Sequence, residues 1–326
     1  VSDLVIDGLS VSVRGPTGRL RVTDGVELIA RGGRATALVG ESGSGKTLTA
    51  LALLRLLPDG AAIDAGRVLL RRSTASGDDD VVDLAALDDA GLRRVRGRRV
   101  AMVFQEPMTA LNPLMRVVDQ VGEAIVIHER VGRKAARARA TALLERVGVP
   151  ETRSLAYPHE LSGGQRQRVM IAAALAADPE VVIADEPTTA LDVTVQAQVL
   201  ALLRSLVDER QMALLLITHD LGVVAEACDD VCVLYAGRVV ERGTVDEVFR
   251  GPRHPYTRGL LRSMPATAPR GQPLPAIRGQ IPPVAQWPSG CRFRDRCDEA
   301  IDICRTDPPV VTIGSEHTVR CARVGS

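Results

Sequence analysis

Gly40-Glu41-Ser42-Gly43-Ser44-Gly45-Lys46-Thr47 is the stretch from which the rest of the chain can be read. An apolar run, Ala35-Thr36-Ala37-Leu38-Val39, precedes it and has the composition of a buried strand. Leu48-Thr49-Ala50-Leu51-Ala52-Leu53-Leu54 follows it and has the composition of a helix. Strand, glycine loop and helix in that order make the setting of a phosphate-binding loop. Gly40, Gly43 and Gly45 free the backbone to turn several N–H groups toward one anion. The helix start adds the positive end of its dipole. In this reading Lys46 reaches the β and γ phosphates of a nucleotide and the Thr47 hydroxyl ligates Mg²⁺, while Glu41, Ser42 and Ser44 complete the loop. Of the 41 basic residues only Lys46 and Lys134 are lysine. A lysine where a compact ammonium is wanted, in a chain this biased toward arginine, marks a selected position.

The 326 residues suffice for one large domain with an appendage, or for two domains. Hydrophobic residues at 45% and charged residues at 25% give an ordinary globular balance, and aromatics at 2% leave an aliphatic core. A formal net charge of +1 makes no electrostatic case for nucleic acid as the main partner. No apolar run approaches the roughly 18 to 20 residues that span a bilayer. Val-Ser-Asp-Leu-Val-Ile-Asp at the start lacks the pattern of a signal peptide. The expectation is a cytosolic protein that meets a membrane only through a partner. Six cysteines are present, four of them after residue 290. In a reducing compartment that spacing favours metal binding over disulfides.

Short β-like runs (4–6 and 9–13) alternate with glycine turns ahead of the loop. Arg67–Leu70 and Val81–Leu84 predict a hairpin with a long polar loop, and Arg99–Phe104 another strand ending at Gln105. Residues 114 to 160 read as helical, with Leu114, Val117, Val118, Val121, Ile125 and His128 on one face. The arginine-rich helix 133–146 reads as a solvated face. Continuous apolar runs at 181–185 and 212–217 suit strands covered on both sides, with crossover helices near 193–209 and 220–227. A hairpin is expected at 231–241. From Gly251 onward prolines recur, which predicts a loop-rich appendage with little apolar surface to bury.

A phosphate loop alone fits many enzymes, and a second motif narrows the choice. Leu161-Ser162-Gly163-Gly164-Gln165 opens a helix-like run and makes a second anion-binding helix end. Two such ends allow two copies to hold one nucleotide between them. Asp185-Glu186 closes an apolar strand. Asp185 is read as holding Mg²⁺ and Glu186 as polarising the attacking water. Ala190-Leu191-Asp192 follows, and His219 comes just after the next strand. Gln105 ends its own strand within reach of metal and water.

In order and spacing these segments resemble the ATP-binding subunit of an ABC transporter over about residues 3 to 250. The resemblance implies an α/β fold: a RecA-like P-loop ATPase core with an antiparallel β subdomain, an inserted helical subdomain at about 107–160, and a small Cys-rich C-terminal extension at 251–326. It makes 40–47 the Walker A loop, Gln105 the Q-loop residue, 161–165 the signature, Asp185 the end of Walker B, Glu186 the catalytic glutamate, 190–192 the D-loop and His219 the switch histidine. It implies that Ser162, Gly163, Gly164 and Gln165 bind ATP in trans. One position departs from the pattern. The aromatic residue that stacks on adenine is Val13 here, which predicts weaker nucleotide affinity or stacking supplied elsewhere.

Phe104-Gln105-Glu106-Pro107-Met108-Thr109-Ala110-Leu111-Asn112-Pro113, His254-Pro255-Tyr256-Thr257-Arg258-Gly259 and Ile277-Arg278-Gly279-Gln280-Ile281-Pro282-Pro283 are similar to dipeptide and oligopeptide permease subunits, whose close relatives import nickel complexes. The resemblance implies ATP-driven peptide import at the cytoplasmic face of the membrane. Its partners would be a second, sister ATP-binding subunit, two membrane-spanning permease subunits and, through them, an external solute-binding protein. Cys291, Cys297, Cys304 and Cys321 lack the spacing of a zinc ribbon, and four thiolates suit Zn²⁺ or a [4Fe–4S] cluster. The permease resemblance favours a structural iron–sulfur cluster. Cys228 and Cys232 read as small buried apolar residues. The alternatives are a nickel-complex importer and a non-transport ATPase of the same class acting on nucleic acid. The DNA-repair type inserts a long coiled coil before the signature, and no sustained heptads stand between Thr47 and Leu161.

Overall fold

The computed structural model describes residues 1–16, 18–73, 80–189, 191–264 and 275–324. Strands β1 (Ser2–Gly15) and β2 (Gly18–Ala30) pair antiparallel, so the two short runs near Leu4 and Leu9 form one long strand. Register shifts between Ile6 and Val11 bend it. Strand β3 (Ala35–Val39) is wholly buried and feeds α1 (Lys46–Leu53). Strand β4 (Ala61–Arg72) returns along β1, and β5 (Asp80–Asp83) pairs with β4 as the apolar runs predicted. The expected loop at 74–79 lies outside the described residues. These strands make a four-stranded sheet in the order β2-β1-β4-β5.

Helix α2 (Asp89–Val95) leads to β6 (Val100–Val103). A helical region follows: α3 (Pro107–Ala110), α4 (Val117–Glu129), α5 (Arg133–Arg146), α6 (Glu151–Ser154) and α7 (Gly163–Leu175). The chain then alternates β7 (Val181–Asp185), α8 (Val193–Arg210), β8 (Ala213–Thr218), α9 (Leu221–Ala227), β9 (Asp230–Tyr235) and β10 (Arg238–Thr244). It closes with α10 (Val245–Arg250), α11 (Pro255–Arg262), β11 (Val310–Thr312) and β12 (Thr318–Arg320). The second sheet runs β11-β12-β10-β9-β3-β8-β7-β6. Its centre is parallel, and every residue of β3, β6, β7, β8 and β9 is buried. Burial on both faces is why these strands read as unbroken apolar runs.

Three packed clusters explain the layering. Leu4, Ile6, Val26 and Leu28 of the antiparallel sheet meet Leu38, Ile183 and Leu215 of the parallel one, with Leu53 of α1 among them. On the other face, Val121 and Ile125 of α4, Ile171 of α7 and Leu203 of α8 cover Val182 and Leu214. A third cluster joins Ala37, Val39, Val231 and Tyr235 to Tyr256 and Phe293.

Two expectations are corrected. Leu114 does not share the apolar face of α4 but stands 85% exposed ahead of it. Pro113 disfavours helix at Asn112, the Leu114 N–H donates to Asn112 Oδ1 at 3.0 Å, and α4 begins only at Val117. The residues after 250 do bury apolar surface: Leu260, Ile277, Ile281, Trp287 and Phe293 pack on the third cluster. Few side chains suffice because they lean on a finished sheet, to which β12 adds by pairing with β10. Among the described residues no helix is long and apolar enough to cross a membrane.

Candidate active site

Parallel pairing places the expected site residues on one edge. Val39 is level with Thr218, Asp185 with Ile217, and Val103 with Ala184. The residues just beyond β3, β6, β7 and β8 therefore emerge side by side at the carboxyl ends of the strands, where open α/β sheets bind ligands. These are the loop 40–47, Gln105, Asp185 with Glu186, and His219.

The loop adopts a shape that side chains would resist. Gly40 has φ +157°, and a Cβ there would stand 2.2 Å from the Leu234 carbonyl oxygen of β9. Gly45, at φ +103°, precedes α1 as its cap. Lys46 is 6% exposed, and its Nζ donates to the carbonyls of Gly40 at 2.7 Å and Glu41 at 3.1 Å. Burial pulls the ammonium below its ordinary value, against the opposing charges of Glu186, Asp185 and Glu41. Thr47 Oγ1 lies 3.5 Å from Asp185 Oδ1, so the first turn of α1 faces the end of β7. Burial raises the Asp185 carboxyl, the Thr47 hydrogen bond opposes this, and the charge of Glu186 adds to the rise.

Glu186 leaves β7 with φ +46°, a left-handed conformation unusual for a side chain of this size. Its N–H donates to the Ile217 carbonyl at 2.9 Å, which fixes the turn against β8. The carboxylate then gathers three partners. Oε1 lies 3.1 Å from His219 Nδ1, and Oε2 accepts from Thr189 Oγ1 at 2.8 Å and from Gln105 Nε2 at 3.4 Å. Burial pushes this carboxyl up, but the hydrogen bonds of Thr189 and His219 prevail and hold it below the usual glutamate value. An ionised carboxylate aimed at the loop can accept a proton from a bound water.

Ser162 caps α7 reciprocally. Its Oγ accepts from the Gln165 N–H at 3.3 Å, and Gln165 Oε1 accepts from the Ser162 N–H at 3.1 Å. With Gly163 and Gly164 this end makes no hydrogen bond or ion pair to the loop 40–47 among the described residues. Asp192 caps α8 by accepting from the Val195 N–H at 2.9 Å, and Ala190 lies outside the described residues. Val13 is half-buried between Leu20 of β2 and Ala61 of β4.

The four late cysteines do not stand as a ligand cage. All are free thiols, and among the described residues no group of three or more His, Cys, Asp or Glu side chains is arranged to hold a metal ion. The backbone ties two of their turns together, the Cys291 N–H donating to the Cys304 carbonyl at 2.9 Å. They are nonetheless neighbours. Burial first, and then the nearby Cys304, Cys321 and Cys297, push the Cys291 thiol up to about 11, with a hydrogen bond from Phe293 opposing. Cys228 and Cys232 are pushed to about 12 by burial, as small core residues would be.

Sequence reasoning missed Thr189, Tyr256 and Arg296. Thr189 stands three residues beyond Glu186, a spacing that could have flagged it. Tyr256 and Arg296 reach the loop from 215 and 255 residues away, at Glu41. No local pattern announces such contacts.

A phosphate loop at the carboxyl edge of a parallel sheet, facing a carboxylate pair at the end of β7, defines a P-loop ATPase site. Residues 23–189 match the ABC transporter family, and residues 240–304 match the oligopeptide/dipeptide transporter C-terminal region. The chain is 48% identical to a putative peptide import ATP-binding protein of Brucella abortus (strain 2308), covering 98% of this chain and 96% of that protein. It is 47% identical to the oligopeptide transport ATP-binding protein AppD of Bacillus subtilis (strain 168), covering 91% and 89%. It is 43% identical to the dipeptide transport ATP-binding protein DppD of the same strain, covering 98% and 94%. Among solved structures, an ATP-binding cassette in a dimeric post-hydrolysis state bound to ADP and Pi superposes with TM-score 0.64 at 26% identity, over 74% of this chain and 98% of that one. The chain belongs to the ABC transporter family of ATP-binding proteins, in its peptide-import branch.

Proposed function

We propose that this chain is the ATP-hydrolysing subunit that powers peptide import through an ABC transporter. The observation that carries the ATPase reading is the Glu186 carboxylate, held by His219, Thr189 and Gln105 beside Lys46, Thr47 and Asp185. In this reading the backbone of 40–47 cradles the triphosphate, with Lys46 on its β and γ phosphates. Thr47, Asp185 and Gln105 offer the hard oxygen ligands that suit Mg²⁺, which when bound would neutralise phosphate charge. Glu186 takes the proton of the attacking water, and His219 holds that carboxylate in place.

The signature end 162–165 reaches a second subunit's nucleotide, a reading supported by the lack of any hydrogen bond or ion pair to the chain's own loop among the described residues and by the dimeric cassette it resembles. A sister subunit is the expected second head. The membrane-spanning partners would dock on the helical region, at whose start Phe104, Met108 and Leu114 are exposed. In this reading the chain sits at the cytoplasmic face of the membrane as a peripheral subunit. Peptide as the cargo rests on the C-terminal match and on the relatives. A nickel complex is the alternative.

The four late cysteines are read as ligands of a structural [4Fe–4S] cluster, with Zn²⁺ as the alternative. Support comes from the soft donor set and from the nearness of Cys304 to Cys291, Cys297 and Cys321, whose thiols burial raises first and neighbouring cysteines further. A bound cluster would staple the short turns that carry these cysteines. Iron and acid-labile sulfide in anaerobically purified protein would bear this out. Zinc in their place would favour the alternative, and neither would remove the site.

The whole reading is tested in vesicles carrying the assembled complex and its external binding protein. Peptide should raise ATP turnover and accumulate inside. Turnover indifferent to every peptide, but raised by a nickel complex, would reassign the cargo.

A further inference from the structure

One peptide group of the phosphate loop is gripped from both sides. The Gly40–Glu41 amide presents its carbonyl to Lys46 Nζ at 2.7 Å and its N–H to the Tyr256 hydroxyl at 2.9 Å. Such a unit is planar, so fixing one end fixes the other. The carbonyl positions a lysine that keeps a third N–H donor for a phosphate. The orientation of the Tyr256 hydroxyl therefore bears on where Lys46 points.

The side chain of the same residue is also held. Glu41 Oε2 accepts from Arg296 Nη1 at 3.0 Å, while Oε1 is buried without a partner. Arg296 is itself immobilised. It donates to the carbonyls of Arg278 at 2.7 Å and Gly279 at 3.0 Å, and its guanidinium lies 5.7 Å from the Tyr235 ring centre and 5.9 Å from that of Phe293. Its side chain is 8% exposed. Tyr256 is fully buried, set edge-on to Tyr235 at 4.6 Å, and burial keeps its phenol neutral. The His254 Nδ1 accepts the Tyr256 N–H at 3.1 Å and starts α11 at that point. Five of the seven aromatic residues of the chain collect in this seam, packing large rigid rings beside the loop.

We propose that Tyr256 and Arg296, both in the C-terminal extension, are positioning residues for nucleotide binding. Tyr256 sets the Gly40–Glu41 peptide and Arg296 anchors the Glu41 side chain, so the extension completes the geometry of the phosphate loop. Neither touches the nucleotide. The proposal rests on the reading of 40–47 as the triphosphate loop. Because the chemistry is done by Glu186 on a different strand, loosening this brace weakens ATP binding and spares the hydrolytic step.

The test uses the full chain in its assembled complex, with Mg-ATP titrated by calorimetry and steady-state turnover measured beside it. Tyr256→Phe keeps the ring and strands the Glu41 N–H, which should weaken ATP binding about ten-fold and raise KM in step, while kcat stays within about two-fold. Arg296→Gln should do the same to a smaller extent, and Arg296→Lys should recover part of the loss. Adding Glu41→Gln to Arg296→Gln should cost nothing more, since both remove one contact. Lys46→Ala is the control. If it keeps wild-type affinity, the loop reading itself is wrong. If it loses ATP while Tyr256→Phe and Arg296→Gln bind as wild type, the brace is wrong. Affinity and kcat falling together with the melting temperature, without recovery in Arg296→Lys, would reduce the contacts to fold support and overturn the proposal. Should Tyr256→Phe fail to fold, the arginine pair of variants decides.

Discussion

His219 Nδ1 stands 3.1 Å from Glu186 Oε1, so the residue after β8 holds one oxygen of the carboxylate after β7 while Thr189 holds the other. Both oxygens are engaged by donors that favour the ionised form, which accounts for the lowered pKa. Glu186→Gln keeps the shape and loses the proton acceptor. Turnover should fall by about 10²–10⁴, with ATP affinity and ATP-driven dimerisation retained in gel filtration. Normal turnover refutes the role of Glu186 as general base.

Val13 offers no ring to a base. It sits between Leu20 and Ala61 near the end of β1 and is half-buried. Val13→Tyr should tighten ATP binding by about 1–3 kcal/mol, the worth of one base-stacking contact. Calorimetry decides it. An unchanged dissociation constant means the adenine lies elsewhere or is already stacked.

Ser162 can be tested separately for its two duties. Ser162→Ala removes the hydroxyl that caps α7 and should cost about 1 kcal/mol of stability. Ser162→Arg also fills the helix end with a cation. The isolated subunit should still bind ATP, because among the described residues that end makes no hydrogen bond or ion pair to its own loop, but the closed dimer should not form. Loss of ATP binding by the isolated Ser162→Arg subunit would sink the two-subunit site.

The elements that fall on regular periods were legible before any coordinates: the buried parallel strands, the glycine loop, and the capped start of α7. So was the order of Gln105, Glu186 and His219, which the sheet turns into proximity. What escaped was set by packing. Leu114 fits a helical stripe on paper, yet Pro113 and the Asn112 side chain delay the helix by three residues. The extension looks poor in core because its aromatic residues are spread through the chain, and only the fold brings Tyr235, Tyr256, Phe293 and Trp287 together. The grip of Tyr256 and Arg296 on Glu41 spans most of the sequence and leaves no periodic trace.

His254 gives the fold a pH dependence with a definite sign. It is 1% exposed, and burial, followed by the charge of Arg258, lowers its pKa from the ordinary 6.5 to about 3. The ring must stay neutral, because Nδ1 accepts the Tyr256 N–H. Around it, Glu241 accepts the backbone N–H groups of Arg253 and His254, and its Oε1 also meets His317 Nε2 at 2.8 Å. A depressed folded pKa means that the unfolded chain takes up the proton first. The contribution to stability is whole above about pH 6.5 and drains as pH falls toward 3, by about 2 kcal/mol from neutrality to pH 5. His254→Asn keeps an oxygen that can accept the Tyr256 N–H but cannot titrate. Urea unfolding of both proteins from pH 7.5 to 5 isolates this group from the others that titrate in common. The stability difference should move in favour of the variant by that amount over the range. Parallel curves would show that His254 is protonated in the folded protein, and the neutral cap on α11 would have to be abandoned.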